Sequence, residues 1–286
     1  FSDWYRVNKI HKLNSEFSDE ELEKMDLKCP DLPRDVFGFE LTEVYDYLNA
    51  SARYIHEIFP IFNFFHKKRD PDADIEHKQY RDDNGVSHHK IKTPYGDLTE
   101  SRRMNSTYPD ERILKKKEDF KAVLYYVKSQ VQSYEFNEMG YEIFKEINEG
   151  RTVTTADVGR SPYNKCIVEL AGTRNTMLLM KRYTKEFDEF CAELEKINLE
   201  IILPKILESP VEFVSIGENV DCRNDPPPVY EKYLLPYFNK VAKACKDAGK
   251  FTHAHFDGNL EDLLPYLSDE MYPFDGIEAP TFLPQG

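Results

Sequence analysis

Lys250-Phe251-Thr252-His253-Ala254-His255-Phe256-Asp257-Gly258-Asn259 is the stretch on which the reading of this chain turns. Gly249 stops a helical pattern just before it, and Asp-Gly-Asn signals a turn just after it. The run therefore reads as a short strand that ends in a loop. Side chains alternate faces along a strand, so His253, His255 and Asp257 point the same way from its end. Two imidazoles and a carboxylate at that spacing suit either metal ligation or proton transfer.

The pattern around this run is regular. Thr152-Val-Thr-Thr-Ala-Asp-Val, Val211-Glu-Phe-Val-Ser-Ile and Phe274-Asp-Gly-Ile-Glu-Ala279 read as further strands, rich in β-branched residues. Helical patterns over 162–170, 175–180, 185–207, 229–248 and 260–267 lie between them. No hairpin signal joins these strands, which predicts a parallel α/β sheet or barrel. In such folds the reactive groups sit at the carboxyl ends of the strands. Asp157 then ends the first strand, Glu218 and Asn219 the second, His255 and Asp257 the third, and Glu278 the fourth.

Either histidine alone reads most simply as a hydrogen-bonded core residue. A carboxylate or imidazole at all four strand ends favours a site. His255, Asp257 and Glu218 are the expected catalytic residues, and His255, Asp257 and Glu278 the expected metal ligands, a mixed nitrogen and oxygen set that suits zinc. The competing use is acid–base work, since carboxylates raise the proton affinity of a neighbouring histidine. His253, Asn219, Asp157 and Tyr95 are the expected substrate contacts. Gly258-Asn259 offers backbone N–H groups as a secondary anion cradle.

The 286 residues are 40% hydrophobic and 13% aromatic, enough for a sizeable globular core. A net charge of −14 repels phosphate backbones, so no nucleic-acid partner is expected. The basic run Lys115-Lys116-Lys117 reads as a solvated helix face. No apolar stretch is long enough to span a bilayer, and no signal peptide opens the chain at Phe1, so no membrane association is expected. The five cysteines, at 29, 166, 191, 222 and 245, lack CxxC spacing, which argues against a disulfide framework and for a reducing cytoplasm.

Residues 1–90 read as N-terminal helices and an excursion. Ser18 with Glu21 has capping-box spacing, and 41–58 has helical periodicity. Residues 67–90 are polar, and His77, His88 and His89 read there as surface histidines. Thr93-Pro-Tyr-Gly-Asp97 is a turn signal, and Arg102-Arg103 a surface pair. Pro109-Asp-Glu opens a predicted helix reaching about 133, with another over 135–149.

Glu208-Ser-Pro-Val-Glu-Phe-Val-Ser-Ile-Gly-Glu-Asn-Val-Asp, Leu235-Pro-Tyr237, the run from Gly249 to Asn259 and Asp275-Gly-Ile-Glu-Ala-Pro together resemble the uroporphyrinogen decarboxylase superfamily. That superfamily includes the methylcobamide:coenzyme M and corrinoid:tetrahydrofolate methyltransferases. The resemblance runs from about residue 150 onward, with Thr93-Pro-Tyr-Gly as the best anchor before it. It implies a (β/α)8 TIM-type barrel over 1–286 with an N-terminal helical extension. It also implies one or two further β/α units beyond Ala279, where this sequence stops at Gly286.

The decarboxylases carry an N-terminal arginine-rich signature that residues 1–40 lack, so porphyrinogen decarboxylation is not expected. The zinc methyltransferases carry His-x-Cys-Gly where this chain has His255-Phe-Asp257-Gly258. The histidine is kept, and a hard carboxylate replaces the thiolate that activates a thiol acceptor. The resemblance implies a cytoplasmic, corrinoid-dependent methyltransferase of one-carbon metabolism. Its partner is a corrinoid (cobalamin-type) protein, its acceptor a thiol or tetrahydrofolate, and its candidate cofactor zinc. Decarboxylation of a smaller acid and a non-catalytic ligand- or corrinoid-binding barrel stay open as alternatives.

Overall fold

The computed structural model describes residues 64–104, 106, 108–147, 153–268 and 271–278. The predicted cap at Ser18, the helix over 41–58 and Cys29 lie outside them. The chain forms two compact units, one of residues 1–63 and 139–153, the other of residues 64–138 and 154–286.

In the larger unit, β1 (Phe65–Lys68), β2 (Glu76–Arg81), β3 (Ser87–Thr93), β4 (Gly96–Arg102), α1 (Phe120–Ser129) and β5 (Ser133–Phe136) come first. β1 pairs antiparallel with β5, and β2, β3 and β4 form an antiparallel sheet. The predicted turn is the β3–β4 hairpin. Thr93 Oγ1 donates to Gly96 O at 2.8 Å and accepts from Tyr95 N–H at 3.1 Å, with Gly96 at φ 133°.

Half of the polar excursion is thus strand. Every residue of β2 is exposed, and the sheet's buried positions, Ile91, Thr93 and Leu98, all belong to β3 and β4. Cross-strand pairs such as Lys92–Glu76, at 2.9 Å, supply register that an apolar alternation would otherwise give.

The helix expected from 109 is shorter than its pattern. Residues before 117 stay irregular because the Glu111 backbone and the Asp110 carboxylate find partners elsewhere. Glu111 bridges Ser101, and Asp110 accepts from Arg103 N–H at 2.7 Å. Asp119 accepts from Lys115 and Lys116 N–H groups, at 2.9 and 3.0 Å, and opens the helix there. Its far end is β5 rather than more helix. α2 (Glu138–Ile147), almost wholly in the smaller unit, has Tyr141 and Phe144 buried.

β6 (Thr155–Asp157), β7 (Phe213–Ile216), β8 (Phe251–His255) and β9 (Gly276–Glu278) form a parallel sheet in that order, as the alternating strand and helix patterns predict. The connections are α3 (162–170), α4 (Thr173–Arg182) and α5 (184–208) after β6, α6 (227–247) after β7, and a 3-10 segment, Glu261–Leu267, after β8. Ala156, Val214, Ile216, Thr252 and Ala254 are buried, and α6 packs on β8. The architecture is mixed α/β with a parallel sheet.

One device appears twice at the amino end of this sheet. Glu212 Oε2 accepts from the N–H and hydroxyl of Thr154, both at 3.1 Å. Asp275 Oδ2 accepts from the N–H and hydroxyl of Thr252, at 2.8 and 2.9 Å. Each carboxylate locks one strand's register to its neighbour, so acids at this end hold structure.

Both long helices contain a wider π-type stretch, Ile197–Ile202 in α5 and Tyr230–Leu234 in α6. A proline follows two residues later in each case, Pro204 and Pro236. Proline has no N–H to donate, and its ring crowds the carbonyl one turn back. A wider turn accommodates both effects. Cys166, Cys191, Cys222 and Cys245 are free thiols, all buried. Among the described residues, no helix is long and apolar enough to cross a membrane.

Candidate functional site

The parallel register sets the site. Asp157 pairs with Ser215, Ser215 with His253, and His253 with Gly276, so these four share one row and one face. His255 pairs with Glu278 one row further toward the strand ends. Asp157 and His253 are two strands apart, about 10 Å between backbones. Opposite them, Thr252 and Ala254 point into the helix-covered core.

Glu278 lies between the two histidines. Its Oε2 is 3.4 Å from His253 Nδ1 and its Oε1 is 3.2 Å from His255 Nδ1. The other edge of the His255 ring faces outward, with Nε2 3.5 Å from Asp257 Oδ2. Exposure of the side chains rises along this path, from 13% at Glu278 to 32% at His255 and 40% at Asp257. The His255 ring therefore sits between an inner carboxylate and an outer, wetter one.

Asp257 is held from the β7 loop. Asn219 Nδ2 donates to both of its carboxylate oxygens at 3.2 Å. Asn219 Oδ1 in turn accepts from Arg160 Nη2 at 2.8 Å. Arg160 also pairs with Glu169 at 3.3 Å, and Glu169 with Lys165 at 2.8 Å. A chain of polar contacts thus crosses the carboxyl ends of β9, β8, β7 and β6. Gly258 packs so closely on Val220 O and Asp221 that a Cβ would collide with backbone, which fixes the turn presenting Asp257.

Arg160 was not legible in the sequence as part of this site. It follows Gly159, whose φ of 89° turns the chain after β6. Its backbone is anchored from the π-type stretch of α5, where Asn198 Nδ2 donates to Arg160 O at 2.8 Å and Tyr237 Oη lies 2.9 Å away. The Val-Gly-Arg run at a strand end was the available signal, but the partner on α5 is far off in sequence.

The other predicted residues divide. Asp157 accepts from Gly159 N–H and crowds Gly217, where a Cβ would come within 2.7 Å of Asp157 Oδ2. Crowding by surrounding protein pushes its carboxyl up, although the side chain still reaches solvent. Glu218 turns the opposite way from Asn219. It is fully buried and accepts from Ser161 N–H, so its contact is with the β6–α3 loop rather than the histidines. Tyr95 stands on the β3–β4 hairpin, 45% exposed, against Tyr125 and beneath Lys121. It belongs to the antiparallel sheet.

The metal expectation meets a geometric difficulty. Asp257 faces Nε2 of His255 and Glu278 faces Nδ1, and one ion cannot bind both edges of one imidazole. As placed, His255, Asp257 and Glu278 do not surround a common point. Among the described residues no group of three or more His, Cys, Asp or Glu side chains is set to hold a metal ion. The arrangement does suit proton transfer. Glu278 fixes the ring, one ring nitrogen stays available at the wet edge, and Asp257 stands beside it.

Comparison with protein-family models gives no match for this chain, and comparison with curated proteins likewise gives none.

Proposed function

We propose that this chain is a cytoplasmic enzyme with a (β/α)8 barrel of the uroporphyrinogen decarboxylase type, moving a methyl group between a corrinoid carried by a partner protein and a small acceptor such as a thiol or tetrahydrofolate. The observation that carries the reading is His255, set between Glu278 and Asp257 at the carboxyl ends of adjacent parallel strands. The residue resemblance from about 150 onward supports the reaction class.

The corrinoid supplies the electrophilic methyl group. An acceptor must lose its S–H or N–H proton as it gains the methyl carbon, and the protein's part is to take that proton. His255 Nε2 receives it while Nδ1–H stays bonded to Glu278, which stabilises the imidazolium. Asp257, held by Asn219, adds negative charge beside the protonated ring. His253 shares Glu278 and holds its second oxygen. Asp157, in the same row, lines the acceptor side. No step runs through zinc.

Arg160 favours a second reading, decarboxylation of a small acid. Its guanidinium at the strand ends would grip the substrate carboxylate, and His255 would return a proton to carbon after CO2 leaves.

The test is turnover of methylcobalamin with thiol and tetrahydrofolate acceptors by the purified full-length chain. Corrinoid-dependent turnover falling about 10²–10⁴-fold in His255→Ala is the expected result. CO2 release without corrinoid would transfer the site to the second reading. Ligand affinity without turnover, unchanged in His255→Ala, would leave a binding protein.

A further inference from the structure

Behind the strand-end chain lies a second polar cluster that never meets solvent. Glu218, Asp225, Asn164 and Tyr230 are each 0% exposed. Glu218 and Asp225 come from the β7–α6 loop, Asn164 from the first turn of α3 and Tyr230 from that of α6. One oxygen of each carboxyl is satisfied: Glu218 Oε1 accepts from Ser161 N–H, and Asp225 Oδ2 from Asp221 N–H at 3.1 Å. The second oxygens, Glu218 Oε2 and Asp225 Oδ1, have no partner. Neither do the amide atoms of Asn164 or the hydroxyl of Tyr230.

These groups are close enough to influence one another. Asn164 is within reach of both carboxyls, Glu218 raises the proton affinity of Asp225, and the Tyr230 phenol feels both acids. Buried polar atoms are almost always paired, so four unpaired oxygens in one place call for a shared partner. A proton shared by the acids would satisfy at most two of them. All four are hard oxygen donors, and the two carboxylates carry the charge that balances a divalent ion.

We propose that Glu218 Oε2, Asp225 Oδ1, Asn164 Oδ1 and the Tyr230 hydroxyl oxygen bind a hard divalent cation of the Ca2+ or Mg2+ class. The ion ties the β6–α3 loop, which carries Arg160, to the β7–α6 loop, which carries Asn219. It is thus a structural ion behind the site, separate from any ion at the histidines and independent of the reaction proposed above.

The test is calorimetric titration of Ca2+ and, separately, Mg2+ into full-length protein freed of metal by chelation, with melting temperature read in parallel. Expected are one ion per chain, a higher melting temperature on loading, and binding weakened about tenfold or more in Asp225→Asn and Asn164→Ala. Tyr230→Phe keeps the packing and removes one oxygen, so it serves if the others fail to fold. Asp188→Asn, a surface carboxylate, leaves binding unchanged. The proposal is overturned if folded wild-type protein takes up neither ion at about 10 mM, a level above even weak sites of this class. It is equally overturned if Asp225→Asn, Asn164→Ala and Tyr230→Phe bind like wild type, or if His255→Ala alone abolishes uptake.

Discussion

Two of the three sheets described in the larger unit each display a close pair of histidines, and the two pairs have opposite surroundings. On the antiparallel sheet His77 Nδ1 and His89 Nε2 are 2.9 Å apart, ring beside ring, in mid-strand. Burial first, and then the neighbouring His77, hold His89 below its ordinary value of 6.5. Two imidazoles that share a contact resist acquiring a proton. On the parallel sheet His253 and His255 share Glu278 instead, at the strand ends. The same residue type therefore meets a second imidazole in one place and a shared carboxylate in the other.

The widest gap between the regions should appear in turnover. His255→Ala lowers methyl transfer about 10²–10⁴-fold, whereas His89→Ala leaves it unchanged in the same assay. Equal loss in both would erase the distinction. Stability gives the next largest contrast. Phe238 is fully buried beneath β8 and touches Phe256, Phe274, Tyr230 and Tyr237. Phe238→Ala should cost about 3–5 kcal/mol in urea unfolding, and Tyr80→Ala on the exposed antiparallel sheet less than about 1 kcal/mol.

A finer contrast is the sign of the pH response in metal-free protein. Burial pushes Glu218 up to about 7 and Asp225 up to about 8. The folded state then holds protons that the unfolded chain releases, so this stabilisation is complete below about pH 4 and lost as pH rises through 7 to 8. His89 acts the other way. Its contribution is present above its ordinary value of 6.5 and lost as pH falls below it. Melting curves from pH 5 to 9 should therefore lose their alkaline decline in Asp225→Asn and their acid decline in His89→Phe, each variant correcting one limb. Smallest of all is Thr252→Val, which removes the hydroxyl that donates to Asp275 Oδ2 and accepts from Asp275 N–H. A loss of about 1 kcal/mol is expected, with turnover retained.

The parallel sheet was legible because its strands are short β-branched runs separated by amphipathic helices, and the alternation of Thr252, His253, Ala254 and His255 sorted core from site. The antiparallel sheet was not. Glu76-His-Lys-Gln-Tyr-Arg81 carries no apolar stripe, since Ile91 and Leu98 on neighbouring strands form that inner face. Only its hairpin turn was visible, through Pro94 and Gly96. The site shows the same limit. His255, Asp257 and Glu278 follow from strand spacing and parallel register. Arg160 is held by Asn198, 38 residues away in sequence, and no local pattern encodes such a contact. Glu218 lies inward because neighbouring residues at a strand end point in opposite directions, and Asn219 took the outward one.

The π-type stretches of α5 and α6 carry a consequence for how this chain can change length. Each amounts to a surplus residue lodged inside a helix. Deleting one residue from Ile197–Ile202 would restore a regular turn but rotate everything after it by about 100°. Leu203 and Ile206, now buried, would swing away from the core, and Pro204 would press on the carbonyl behind it. Asn198 would leave Arg160. Substitutions spread along these helices can be absorbed one at a time, but their residue count is locked at both ends by what they hold.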